Sequence, residues 1–227
     1  MSILALYHFY REYGLYIYIT VAVIAANIQV LKAVKFSYFP EPIALGTILF
    51  ASTYLCTDIL AEHHGSNVAR RAVILSTLGM LLMTVFMTTT LGWTPLDPET
   101  CEATHQVFCD SHNAMMTIFT PTVSIFAASI IAYVISQYTD IWIFTGLKKL
   151  MSGRILWLRT NVSTILSALV DNTIFSMLAW IVLAPMPISI ETVIMTHIVG
   201  TLFLRAGLSF LNTPFIYITS YLSNPKS

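Results

Sequence analysis

The chain has 227 residues, of which 56% are hydrophobic and 10% charged, and eleven Lys plus Arg balance eleven Asp plus Glu. Ordinary globular chains carry roughly 25% charged residues. With a mean hydropathy of +0.76, so few charges cannot build a water-facing surface, so the surface must face lipid. This excludes a soluble enzyme, a secreted disulfide scaffold and a disordered chain. The balanced charge offers no net field to attract nucleic acid.

Six apolar runs are long enough to cross a bilayer, which takes ~20 residues per helix. They are Leu15–Leu31, Ile43–Leu60, Ala72–Trp93, Met115–Tyr138, Thr160–Ala184 and Met195–Leu222. The expected fold is an all-α integral membrane protein with six transmembrane helices, one membrane domain over residues 1–227. The first run lacks a small-residue cleavage site and carries Asn27 in its interior, so it reads as a retained span. With the amino terminus inside, inner segments carry Arg11, Arg70, Arg71, Lys148, Lys149, Arg154, Arg159 and Lys226, and outer segments Lys32 and Lys35. Eight against two is a strong positive-inside bias, which puts both termini in the cytoplasm. The acidic loop Pro95–Asn113 then falls outside.

Between spans two and three, Asp58 and Glu62 are four residues apart and share a helix face. Arg70 and Arg71 are candidates to close salt bridges to them. In the outer loop Cys101, His105, Cys109 and His112 would align on a helix, as a set of metal ligands would. In an irregular loop Cys101 and Cys109 could instead form a disulfide in an oxidising compartment. Pro121 in span four and Pro214 in span six can kink their helices. Gly200 and Gly207 in span six permit close helix approach. The segment Thr139–Leu158 repeats apolar residues near helical spacing beside Lys148, Lys149 and Arg154. It is expected to form a short interfacial helix between spans four and five.

A charge near the bilayer centre costs at least ~2.5–3.5 kcal/mol on insertion scales. Span five nevertheless carries Asp171 and span six Arg205. At ~1.5 Å per residue each lies about 15–17 Å from the end of its own span. Opposite charges at one depth on consecutive antiparallel helices invite a pair. Thr160, Ser163, Thr164, Ser167 and Asp171 follow steps of three and four, so they line one face. Such a stripe must face the bundle interior or a water-filled cavity.

Several strings taken in order resemble a known family. Thr57-Asp58, Glu62, Gly65 and Ala69-Arg70-Arg71 resemble a signature of the queuosine-precursor transporters, also described as vitamin-uptake-type membrane proteins. Gln137 and Asp140, before an aromatic-rich basic segment, resemble that family's fourth-helix end. Arg159-Thr160-Asn161 with Ser163-Thr164 and then Asp171 resembles its fifth-helix signature. Pro214 is similar to a sixth-helix proline and Asn27 to a first-helix asparagine. The resemblance runs from about Asn27 to Tyr217. Two features depart from it: the family usually has Lys where Arg205 stands, and the long acidic outer loop is not part of the pattern.

The resemblance implies a multi-pass transporter of the bacterial inner (plasma) membrane. It would import 7-cyano-7-deazaguanine, and with it 7-aminomethyl-7-deazaguanine, through a polar midplane site. Asn27, Asp58, Glu62, Gln137, Ser163, Ser167, Asp171 and Arg205 are the expected substrate-binding residues. Carboxylates would accept the N–H and NH₂ of a guanine-like edge, and Tyr54, Phe50 or Phe175 would stack its flat ring. The expected partners are this deazapurine and the lipid bilayer, with no nucleic acid, no cofactor and no metal; a homo-oligomer is left open. The competing reading is the substrate-binding membrane subunit of an ATP-driven vitamin transporter. An intramembrane enzyme is disfavoured: His-Glu-x-x-His is absent, and Gly207-Leu208-Ser209-Phe210 lacks the second glycine of a rhomboid-like nucleophile motif.

Overall fold

The computed structural model describes residues 2–35, 43–97, 100–101, 106–119, 123–184 and 186–223. Helix α1 (Ser2–Gln29) bends at Arg11, whose φ is 52°. A short antiparallel hairpin follows, in which β1 (Ala33–Val34) pairs with β2 (Ile43–Ala44). Helices α2 (Gly46–His63) and α3 (Ser66–Leu91) are joined at Gly65, whose φ of 90° suits a residue without Cβ. Then come α4 (Gln106–Phe119), α5 (Val123–Leu150) and α6 (Leu156–Met177). A π-helical turn, Leu178–Val182, extends α6. The last hairpin arm starts with α7 (Ile190–Thr192), passes through π-helical Val193–Gly200 and ends in α8 (Thr201–Ser223), with Pro214 inside it.

Four of these stretches are long and apolar enough to cross a membrane among the described residues: Ser66–Leu91, Ile125–Leu150, Leu156–Val182 and Ile190–Leu222. With the composition, this makes an all-α, multi-pass membrane protein. The spans expected in α1 and α2 do not reach the same apolarity, and α2 shows why. It carries Thr47, Thr53, Thr57 and Asp58, all buried, because α2 packs against α1, α3, α5, α6 and α8 at the centre of the bundle. Its polar groups face protein, where neighbours can satisfy them.

Helix α3 shows the opposite arrangement. Ala69, Ala72, Val73, Ser76 and Met80 are its buried face, while Leu75, Leu78, Leu82, Val85 and Phe86 are exposed. Mostly small residues inside and large apolar residues outside is the pattern of a helix whose outer face meets lipid. Gly79 lets α3 approach α1 closely, since a Cβ there would lie 2.5 Å from the Thr20 methyl. Gly46 plays the same part for α2, because a Cβ would run into the Ala26 carbonyl. Gly200 and Gly207 do not serve close helix approach: Gly207 has open space around it, and Gly200 meets its own segment's Met195 carbonyl at 3.5 Å.

Hydrogen bonds fix the directions of the helices. Ser76 meets Tyr133 (α3–α5), Ser136 meets Asp171 (α5–α6) and Asn161 meets Thr213 (α6–α8). Both described chain ends lie at one end of the bundle, where the Arg11 guanidinium donates to the Leu222 carbonyl at 3.2 Å. The β-hairpin lies at the other.

Two local expectations are corrected, and one left open is resolved. Residues 139–150 are the last turns of α5, not a separate interfacial helix, and the chain reverses over residues 151–155 with Ser152, Gly153 and Ile155 at positive φ. The reason is burial: Gln137, Asp140, Ile141 and Phe144 are inside the bundle, so their stripe continues α5. Consequently the fourth apolar stretch is shifted from Met115–Tyr138 to Ile125–Leu150, and α4 is a distinct helix. In the outer loop Cys101 and Cys109 form a disulfide with Cα atoms 6.1 Å apart, so neither thiol remains to bind metal. His105 and Pro121 lie outside the described residues.

Candidate transport site

At the hairpin end a cavity of about 300 Å³ opens between α1, α2, α5, α6 and α8. Asp171 and Arg205 lie on its wall, and the guanidinium Nη1 donates to Asp171 Oδ2. The Ser136 hydroxyl donates to Asp171 Oδ1 at 3.1 Å and receives the Tyr54 hydroxyl at 3.0 Å. The expected pair between spans five and six therefore forms. Other polar groups on the wall are Asn27, Thr47, Ser129, Asn172, Ser176 and Thr201, and the aromatic ones are Phe50, Phe175, Trp180 and His197.

Two of these aromatics stand on π-helical segments. The Trp180 and His197 rings stack with centroids 5.3 Å apart and planes 27° apart. Within Leu178–Val182 and Val193–Gly200 the wider turns disrupt the ordinary carbonyl ladder. Asn172 donates to the Ile198 carbonyl at 3.2 Å, supplying a partner there. Trp180 Nε1 is buried and has no hydrogen-bond partner among the described residues. An aromatic-lined pocket holding one paired carboxylate, one guanidinium and several amides and hydroxyls suits a flat, polar heterocycle.

Beneath the cavity a polar column continues along the inside of the bundle. Gln137 is clamped to α2: its amide donates to Thr53 Oγ1 at 2.7 Å and its carbonyl accepts from Thr57 Oγ1 at 3.0 Å. One turn further in, Ser167 donates to Asp140 Oδ1 at 3.0 Å. Thr160, Ser163, Thr164 and Ser167 are buried, as the stripe on α6 requires. Asn161 locks α6 to α8 by donating to Thr213 Oγ1 at 2.8 Å and accepting from Ser209 at 2.9 Å.

At the end opposite the cavity, Glu62 takes Arg159 on Oε1 at 3.0 Å and Lys148 on Oε2 at 3.0 Å. The Arg159 guanidinium also covers the Phe144 ring at 5.1 Å. This corrects the expected pairing of Asp58 and Glu62 with Arg70 and Arg71. Those two arginines are exposed on α3, while α5 and α6 bring their own cations to Glu62. Neither oxygen of Asp58 has a hydrogen-bond partner of ordinary geometry among the described residues.

Of the eight expected binding residues, Asn27, Asp171 and Arg205 line the cavity. Asp58, Gln137, Ser163 and Ser167 belong to the column beneath it, and Glu62 closes its far end. Asn27 is held by Ser129, which donates to its Oδ1 at 2.7 Å, and it donates to the Val23 carbonyl at 2.9 Å. Phe50 and Phe175 line the cavity, whereas Tyr54 is buried below it. Trp180 and His197 carry no signal in the sequence, and Asn172 is one polar residue of span five among many, outside its three-and-four stripe. An aromatic or amide in an apolar span reads as ordinary lipid-facing or packing material until its neighbours are known.

The match to a family model described as "Putative vitamin uptake transporter" runs over residues 44–219. The chain belongs to that family. A vitamin uptake transporter is a membrane transporter and not an enzyme. A relative from Bacillus subtilis (strain 168), named "Probable queuosine precursor transporter", is 28% identical over 216 residues, covering 95% of this chain and 87% of its own length. No solved structure matches the chain.

Proposed function

We infer that the protein imports queuosine precursors, 7-cyano-7-deazaguanine and 7-aminomethyl-7-deazaguanine, across the bacterial inner membrane as a six-span transporter with both termini cytoplasmic. The observation that carries the reading is the Asp171–Arg205 pair on the wall of the aromatic cavity. A guanine-like edge carries an N–H and an NH₂ side by side, which a carboxylate accepts, and a carbonyl, which a guanidinium donates to. Phe50, Phe175 and the Trp180–His197 stack supply apolar faces for the ring.

Sidedness follows from charge and redox chemistry. Described cations cluster at the Glu62 end, and the disulfide ties Cys101, before α4, to Cys109 in the first turns of α4. Lysines and arginines favour the cytoplasm, and disulfides persist in oxidising compartments. The cavity therefore opens outward, and the column from Gln137 to Glu62 closes the inward route. Six spans include α1 and α2; the polar residues Thr47, Thr53, Thr57 and Asp58 of α2 are shielded by the other helices.

The test is uptake of radiolabelled precursor by proteoliposomes containing the purified protein alone. Saturable uptake, lost in Asp171→Asn with the variant still monodisperse, is the expected result. Uptake that needs an added ATPase would favour the substrate-binding subunit instead. Reporter fusions after Asn113 and Ser227 should sit on opposite sides of the membrane; the same side would refute the topology.

A further inference from the structure

One cluster in the column is not explained by the cavity. Asp58 on α2 is 1% exposed and Asp140 on α5 is 0% exposed. Both oxygens of Asp58, Oδ2 of Asp140 and the Thr160 hydroxyl oxygen are buried with no hydrogen-bond partner of ordinary geometry among the described residues. Yet the two carboxyl groups lie within hydrogen-bonding reach of one another, with Thr160 beside Asp58 and Ser163 and Ser167 beside Asp140. Two ionised carboxylates in such close contact repel each other. Burial adds a desolvation cost for each ion. Carboxyls that face each other without a donor between them are the arrangement that shares a proton.

The surrounding charges relieve the pair only in part. Arg159 on α6 favours ionisation of Asp58, but its Nη2 is engaged by Glu62, and its buried Nε and Nη1 make no hydrogen bond to either carboxyl among the described residues. Lys148 on α5 is held by the same Glu62. On the other helices packed against α2, Glu12 of α1 pairs with His64, Arg70 and Arg71 of α3 are exposed, and Arg205 of α8 pairs with Asp171. A metal ion would ask for more acidic ligands; no group of three or more metal-capable His, Cys, Asp or Glu side chains occurs among the described residues.

We propose that Asp58 and Asp140 share a single proton and that this pair is the proton-coupling site of the transporter, a role that rests on the uptake reading above. Its position suits the task. Tyr54 precedes Asp58 by four residues, Ser136 precedes Asp140 by four, and Ser167 precedes Asp171 by four. The pair is thus one helical turn, about 6 Å, below the Asp171–Arg205 layer on three helices at once. Ser136 and Tyr54 bond to the upper layer, and Ser167, on the same helix as Asp171, bonds to the lower. A substrate that draws Asp171 away from Ser136 shifts α5 and α6 against each other and changes the distance between Asp58 and Asp140. The pair then ionises, releasing its proton inward, and takes another up when the cavity faces out again.

The experiment has two arms. Infrared spectroscopy of the wild-type protein in lipid at neutral pH reads the C=O stretch of a protonated carboxylic acid, identified by its shift in D₂O. The band should be present in the wild type and absent in Asp58→Asn and in Asp140→Asn. No such band in the wild type, or a band unchanged in both variants, overturns the proton pair; the wild-type spectrum decides even where a variant does not fold. The second arm imposes a gradient of about one pH unit, alkaline inside, on proteoliposomes given 7-cyano-7-deazaguanine. One proton per substrate gives about tenfold accumulation, which Asp140→Asn should lose. Uptake indifferent to the gradient overturns the coupling role. No uptake at all, with the band retained, sinks the substrate reading and the coupling role together while the shared proton stands.

Discussion

The Arg205–Asp171 contact lends itself to a quantitative test. Arg205→Met leaves Asp171 with the Ser136 hydroxyl as its described donor. Breaking a buried ion pair costs about 3–5 kcal/mol, because the remaining charge is uncompensated. The Asp171 side chain is 13% exposed and that of Arg205 9%, on the wall of a cavity that admits water, so the low end, about 3 kcal/mol, applies. For a chain of this size each kcal/mol moves the melting temperature by about 2–4 °C. Arg205→Met should therefore melt about 6–12 °C lower. Asp171→Asn should fall by a similar amount, since Arg205 Nε already has no described partner. The neutral double variant, Asp171→Asn with Arg205→Met, removes both charges and should recover most of the loss. Thermal unfolding in detergent measures the cycle. Single-variant losses that add to within about 0.5 kcal/mol in the double variant would refute the coupling. Exchanging the residues, Asp171→Arg with Arg205→Asp, should recover folding but not uptake. Full uptake by the exchanged variant would show the pair to be packing alone.

Glu62→Gln should lower the melting temperature markedly, because it strands Arg159, a guanidinium that is 0% exposed; Arg70→Ala and Arg71→Ala should stay within about 0.5 kcal/mol of wild type. Equal effects at all three positions, read by thermal unfolding, would count against the Glu62 assignment. A membrane-impermeant maleimide should label intact cells only after reduction, at Cys101 and Cys109, while buried Cys56 stays silent. Labelling without reductant would disprove the disulfide, and none after reduction would disprove its outward placement. Gly79→Leu should be destabilised by about 1–3 kcal/mol, since the new side chain meets Thr20; co-substitution of Thr20→Gly should restore part of the melting temperature. Trp180→Leu should weaken precursor binding in a ligand-dependent thermal-shift assay without lowering the ligand-free melting temperature by more than a few degrees, and unchanged binding would remove the stack from the site.

Much of this protein was determined by its sequence alone. Apolar runs broken by basic segments demand membrane helices whatever they pack against, because hydrogen-bond satisfaction in lipid is local to each helix. Asp171 and Arg205 announced themselves in the same way: a charge in an apolar run is costly wherever it lands, so its partner had to come from a neighbouring helix. What the sequence could not decide was which faces meet. Arg70 and Arg71 are close to Glu62 along the chain, yet α3 turns them outward and Glu62 is served by Lys148 and Arg159, 86 and 97 residues away. Residues 139–150 looked interfacial by periodicity, but the same apolar and polar positions serve equally to prolong a buried helix. Asp58 and Asp140 lie on different helices, and nothing along the chain says that two acids 82 residues apart will face each other. Their encounter, like the stacking of Trp180 on His197, depends on helix rotation and register, which many long-range contacts set together.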